Sequence, residues 1–277
     1  MQVYGSGDAS GTFSSALGLC GRELVAFVGA GGKTAALQRL ALELADGENS
    51  VAVSTTTAMF SHQLAFAGPL ILMSSDHATL TMQVKQRLSE SRVVAVARLV
   101  DQYGKARGLS PAAVDALWRE RIAAFVLVEA DGSRGLPLKS FGTGEPQVPC
   151  EATTVVIVGG VDALGSPLDE VHVHRAGQLA SILGLAKDQV VTHRIFARAL
   201  ALQIARVRTL SPRARVVVLL NKADTDRQAA AGLAIARVLD HELDAGVGRH
   251  VDSGRPHRLV VGSVSRGIFH VVTAERV

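Results

Sequence analysis

Aromatic residues make up only 4% of this 277-residue chain: eight Phe, two Tyr and one Trp. Its core must therefore be built from Ala, Val and Leu, a composition that suits parallel strands covered by helices. The same scarcity removes the stacking platforms that single-stranded nucleic acids need. Charge is also sparse. Asp, Glu, Lys and Arg account for 19% of residues, and 29 basic against 25 acidic side chains leave a net charge of +4. The arginines are dispersed and form no basic tail, so no nucleic-acid footprint is expected. Cysteine occurs twice, at Cys20 and Cys150, outside any C-x-x-C spacing. That argues against a disulfide framework and for a reduced, cytoplasmic protein. The opening MQVYGSGDASGTF has neither the basic nor the apolar segment of a signal peptide, and none is expected. Residues 51–75 lack Asp, Glu, Lys and Arg, but three threonines, Ser61-His62-Gln63 and Gly68-Pro69 interrupt the run before it could span a bilayer. G-x-S-x-G and H-E-x-x-H are both absent, which leaves triad-hydrolase and zincin readings without support.

What the chain does have is apolar length, at 48% of residues. Runs rich in β-branched residues predict strands at 23–29, 50–55, 69–73, 92–97, 124–130, 153–160, 214–221 and 258–263. Several are continuously apolar, as strands buried on both faces should be. Helical patterns fall between them. One covers 33–46 and stops at Asp46-Gly47; others cover 76–90, opened by Ser75-Asp76, and 110–122, opened by Ser110-Pro111. Further helices are expected near 174–184, 193–208 and 226–243. The alternation predicts an α/β fold: a doubly wound, mostly parallel sheet with helices on both faces. A single domain over 1–277 is expected, with a smaller C-terminal lobe from about residue 165 as the alternative.

VAFVGAGGKTAAL, residues 25–37, places a glycine-rich turn between a strand and a helix. The familiar phosphate-binding spacing is G-x-x-x-x-G-K-[ST], but the residue six before Lys33 is Phe27. The shorter G-x-x-G-K-T pattern, as in the compact P-loop of Mur-type ligases, does match. Gly29, Ala30, Gly31 and Gly32 can turn backbone amides toward an oxyanion, and the helix that follows adds its positive end. Lys33 can reach between phosphates, and Thr34 can place its hydroxyl on Mg²⁺. The bland alternative is a glycine turn with a solvated lysine.

Four other stretches bear on the same chemistry. AFVLVEADG ends a strand in Glu129 and Asp131, where an acid could hold Mg²⁺; which of the two does so is open. STTTAM brings Thr55 and Thr56 to the end of another strand, as ligands or simply as good strand formers. VVVLLNKAD carries Asn221, Lys222 and Asp224 in the N-K-x-D pattern that reads guanine in GTPases. Mur-like ligases place an Asn/Asp-rich turn against adenine at a comparable point, so the base is GTP's or ATP's, with GTP ahead. The Gly- and Pro-rich loop 131–150 carries Arg134 and Lys139, either as phosphate or substrate contacts or as solvated cations. His172 and His174 alternate in DEVHVHRAG, but no third ligand of clear spacing accompanies them.

Taken in order, VGAGGKT, STTTAM, VEADGSRGLPLK, EPQVP, VGGVDALGSPL, VHR and LLNKAD resemble the YqeC family from residue 23 to about 224. That family is described as selenium-dependent molybdenum hydroxylase accessory proteins. The resemblance implies a P-loop NTPase that helps mature or insert a selenium-modified molybdenum cofactor, with a molybdenum hydroxylase or a maturation factor as protein partner. It implies family positions at Gly29, Gly31, Gly32, Lys33, Thr34, Glu129, Asp131, Lys139, His174, Arg175, Asn221 and Asp224. Ala35 stands where the family often has a second threonine. Two rivals stay open: a Mur-like ATP-dependent ligase or kinase acting on a small acidic substrate, and a nucleotide-bound adaptor that never turns over.

Overall fold

A computed structural model describes residues 3–6, 11–73, 77–186, 189–246 and 255–275. Its centre is a ten-stranded sheet. The order across it is Val3–Ser6, Ile268–Glu275, Arg258–Ser263, Arg215–Asn221, Thr154–Gly160, Glu23–Gly29, Phe125–Glu129, Val51–Thr55, Val93–Ala97 and Ile71–Leu72. The eight strands from Arg258–Ser263 to Ile71–Leu72 run parallel. Ile268–Glu275 returns as a hairpin, and Val3–Ser6 pairs antiparallel to it. All eight sequence-predicted strands are present, and strands from both sides of residue 165 share this sheet.

Alternation along Glu23–Gly29 divides the core between two faces. Leu24, Ala26 and Val28 join the cluster under helices His77–Glu90, Pro111–Arg119, Ala176–Leu183, His193–Leu210 and Asp226–Asp244. Val25 and Phe27 join the opposite cluster, under Phe13–Leu17 and Lys33–Asp46. This is a doubly wound, mostly parallel α/β sheet with helices on both faces. Among the described residues, no helix is long and apolar enough to cross a membrane.

Differences from the sequence expectation have local causes. The 69–73 strand shrinks to Ile71–Leu72, because Ser61–Ala67 forms a 3₁₀ helix that ends at Gly68. The 110–122 helix stops at Arg119, since Arg121 turns to φ 54°. The 174–184 helix begins only at Ala176, because Arg175 holds φ 61°. The Ser75-Asp76 helix start lies outside the described residues. Helix Phe13–Leu17, the edge hairpin and two small sheets were not anticipated.

The chain runs outward on one side of Glu23–Gly29, returns to Phe125–Glu129 beside it, then crosses to Thr154–Gly160 on its other side. The strand order therefore reverses at Gly29. Open α/β sheets form their crevice at the carboxyl ends of strands at such a reversal.

Candidate functional site

The turn after Gly29 is fixed on three sides. The Ala30 N–H donates to the Val158 carbonyl at 2.9 Å, the Gly31 N–H to the Leu136 carbonyl at 3.0 Å, and the Gly29 N–H to Asp131 Oδ2 at 2.9 Å. Glycine is required here by space as well as by φ. At Gly31, φ 84°, a Cβ would lie 2.2 Å from the Gly160 nitrogen; at Gly32, φ 113°, it would lie 2.6 Å from Asn221 Nδ2. The helix that follows is left open. Thr12, Ser110, Thr192 and Thr225 each cap their helix with a side-chain oxygen, and Glu170 accepts from the Gly177 N–H at the helix after Arg175. The helix at Lys33 has no such cap, and the N–H groups of Gly32, Lys33, Thr34 and Ala35 meet no acceptor among the described residues. A row of free amides at a positive helix end is a site for an oxyanion.

Lys33 is 3% exposed. Its ammonium donates to the Gly29 carbonyl at 2.8 Å and to Ser133 Oγ at 3.1 Å, with Asp131 Oδ1 at 3.3 Å. The Thr34 hydroxyl donates to Glu129 Oε2 at 2.7 Å. Burial pushes the Glu129 carboxyl above the ordinary glutamate range, against the pull of Lys33 and of the Thr34 hydroxyl. The two strand-end acids thus have different places. Glu129 lines a cavity of about 620 Å³ together with Gly32, Lys33, Thr34 and Lys222. Asp131 is fully buried behind the loop, held by the Gly29 amide and two lysines.

Lys139 is not a solvated cation. It is fully buried, 3.0 Å from Asp131 Oδ2 and 2.7 Å from Glu145 Oε2. Arg175 closes the same cluster with a two-pronged contact to Glu145, at 2.6 and 3.0 Å. Burial raises the Glu145 carboxyl, but the hydrogen bonds from Arg175 and Lys139 outweigh it and hold the group at about 2. A carboxylate depressed in the folded state adds stability that is complete above the ordinary glutamate value of 4.5 and is lost as pH falls toward 2. Urea unfolding of wild type is therefore expected to lose stability across that window, and Glu145→Gln to flatten this part of the curve. An unchanged acid slope in E145Q would contradict the assignment.

His174 pairs through its backbone strand, Val173–His174, with Leu138–Lys139. Burial, then Arg175, Lys139 and Arg134, hold its imidazole below the ordinary histidine range. His172 instead bonds Asp169 at 2.7 Å. The structure does not bring Thr55 and Thr56 to the cavity. Their hydroxyls donate to the Glu129 carbonyl at 3.0 Å and the Gln147 carbonyl at 2.7 Å, so they tie strand ends together.

On the other side, Asn221 straps the loop in place. Its Nδ2 donates to the Gly31 carbonyl at 2.9 Å, and its Oδ1 accepts from the Val264 N–H at 3.0 Å. Lys222, at φ 64°, reaches Asp162 at 2.7 Å. Asp224 accepts from the hydroxyls of Ser263 and Ser265. Sequence reasoning gave no role to Ser133, Glu145 or Asp162, although all three lie within or beside stretches it singled out. Gln203, which holds the Lys139 carbonyl at 2.9 Å, carried no signal, being one polar residue in a helical pattern.

Fold and site together define a doubly wound α/β protein with a compact phosphate-loop geometry. The family described as "YqeC protein" matches residues 25–177. This chain belongs to the YqeC family. It is 36% identical over 169 residues to "Uncharacterized protein YqeC" of Escherichia coli K12, a match that covers 60% of this chain and 62% of that protein. Among solved structures, it is similar to the signal recognition particle 54 kDa protein of Aeropyrum pernix K1 in complex with GDP. The TM-score is 0.38 at 14% identity, over 90% of this chain and 43% of that one. FtsY of Mycoplasma mycoides gives a TM-score of 0.35 at 15% identity, over 79% of this chain and 58% of that one.

Proposed function

We propose that the protein binds a nucleoside triphosphate with Mg²⁺ at Gly29–Thr34 and hydrolyses it as an accessory factor. The observation that carries this reading is the open helix end. Gly32, Lys33 and Thr34, with their free amides, and the Glu129 carboxyl paired to Thr34 all line one cavity. The pair also suits magnesium, since a hydroxyl and a carboxylate are hard oxygen donors. Thr34 and Glu129 would hold it, and the bound ion would neutralise charge developing on the phosphate oxygens. Asp131 then acts from behind, orienting the Gly29 amide and Lys33.

Lys222 and Asp224 would take the base, with Asn221 holding the loop beside them and GTP favoured over ATP. The support is the half-buried Asp224 at the end of this turn beside Ser263, whose carboxylate can accept from a base edge. Asp224→Asn is expected to lower the preference for GTP over ATP by more than about tenfold, as loss of a charged hydrogen-bond acceptor should. Competition of ATP and GTP for the site measures it. If ATP competes as well as GTP in wild type and Asp224→Asn changes nothing, the guanine reading fails.

We take the chain as one P-loop domain, because its later strands continue the sheet of the P-loop strand. Hydrolysis would reorganise loops 55–62 and 131–150 and so alter binding to a protein partner. The finer role, maturing or inserting a selenium-modified molybdenum cofactor for a hydroxylase, rests on the family resemblance.

A further inference from the structure

The cavity extends beyond the phosphate loop, and the sheet order says in which direction. Asn221 ends a strand two positions from Gly29 on one side, and Thr55 ends a strand two positions away on the other. At about 4.8 Å between strands, the base-side turn and the chain beyond Thr55 lie on opposite flanks of the loop. Past Thr55 the chain builds a small antiparallel flap from Ala58–Phe60, Lys105–Arg107 and Leu99–Val100. The flap supplies Met59, Phe60 and Lys105 to the cavity, and Arg134 reaches it from the loop after Asp131.

Three observations set this wall apart. Four cations line the cavity, and two are neutralised, Lys33 by Asp131 and Lys222 by Asp162. Lys105 and Arg134 have no carboxylate partner among the described residues. Phe60 is 46% exposed in a chain with few aromatics, stacked on His62, with the Lys105 ammonium 5.4 Å over its ring. Arg134 holds φ 52°, a conformation uncommon for a residue with a side chain. Unpaired cations beside an exposed aromatic ring in one concavity suit a ligand with both an anionic and an apolar part.

We propose that the flap wall is a second ligand site, for an organic anion. The anion's phosphate or carboxylate meets Lys105 and Arg134, and its apolar body lies on Met59 and Phe60. The inference rests on the nucleotide reading for which end of the cavity is the second one.

The test is calorimetric titration of the full chain with 1-naphthyl phosphate and 1-naphthoate, with inorganic phosphate and naphthalenemethanol as controls. At least one naphthyl anion is expected to bind saturably, and which one binds distinguishes a phosphate from a carboxylate headgroup. Phe60→Ala and Lys105→Gln are each expected to weaken it by about tenfold, the loss of one good contact, with nucleotide affinity unchanged. Lys33→Ala should leave naphthyl binding intact, which separates failure of this site from failure of the nucleotide site. No saturable binding of either anion would overturn the proposal. So would binding that is lost in Lys33→Ala but insensitive to Phe60 and Lys105, or binding matched by either control.

Discussion

Lys33→Ala is expected to weaken binding of a Mg-nucleotide by about a hundredfold, since a hydrogen bond to a charged group is worth roughly 2–3 kcal/mol. Lys33 lines the cavity at the open helix end, and the present partners of its ammonium are a backbone carbonyl, Ser133 and Asp131. A phosphate oxygen can replace these contacts as they stand. The variant should still fold, because Asp131 retains the Gly29 amide and Lys139 after Lys33 is cut back. Calorimetry on the folded variant decides the matter. Undiminished affinity would mean that the loop is a glycine turn with a structural lysine.

The second large effect is on stability. Lys139 is fully buried between Asp131 and Glu145, and Glu145 in turn binds Arg175. Lys139→Met keeps the apolar stem and removes the charge. It leaves the buried Asp131 and the half-buried Glu145 without their shared partner, and breaking a buried pair costs about 3–5 kcal/mol. That is a large part of the roughly 5–15 kcal/mol that holds a domain folded, and thermal melting should drop by roughly 10 °C. Adding Glu145→Gln should recover little of the loss, since Arg175 still pairs with that carboxylate in Lys139→Met. A loss below about 1 kcal/mol in Lys139→Met, the range of exposed ion pairs, would show that the cluster is not the buried unit described here.

The strands of the sheet were legible because continuous runs such as VVVLLN can only be buried on both faces. The helices were legible from their starts: Ser110-Pro111 caps as its chemistry requires, whereas the left-handed residue after Asp46 is Glu48 (φ 63°) and not Gly47. The glycine turn between strand and helix was legible despite Phe27, which is a fully buried strand residue, so the turn starts at Gly29. The division of labour between Glu129 and Asp131 was not legible. Two residues apart at a strand end, they differ only in what approaches them: Thr34 at one and the Gly29 amide with Lys139 at the other. Periodicity contains nothing about that. Nor could it show that Thr55 and Thr56 turn their hydroxyls onto neighbouring carbonyls, or that Lys139 is buried, since its partners come from 131, 145 and the loop between. The flap carried no signal because its strands are two or three residues long, too short for any pattern to repeat.

The claim on which the rest depends is that the open helix end at Lys33 holds a triphosphate. Its most direct test is a titration of the wild-type chain with non-hydrolysable GTP and ATP analogues, each with and without Mg²⁺. Saturable one-to-one binding that tightens with Mg²⁺, with the GTP analogue ahead, is the predicted result. Absence of saturable binding for both analogues in the presence of Mg²⁺ would contradict the account.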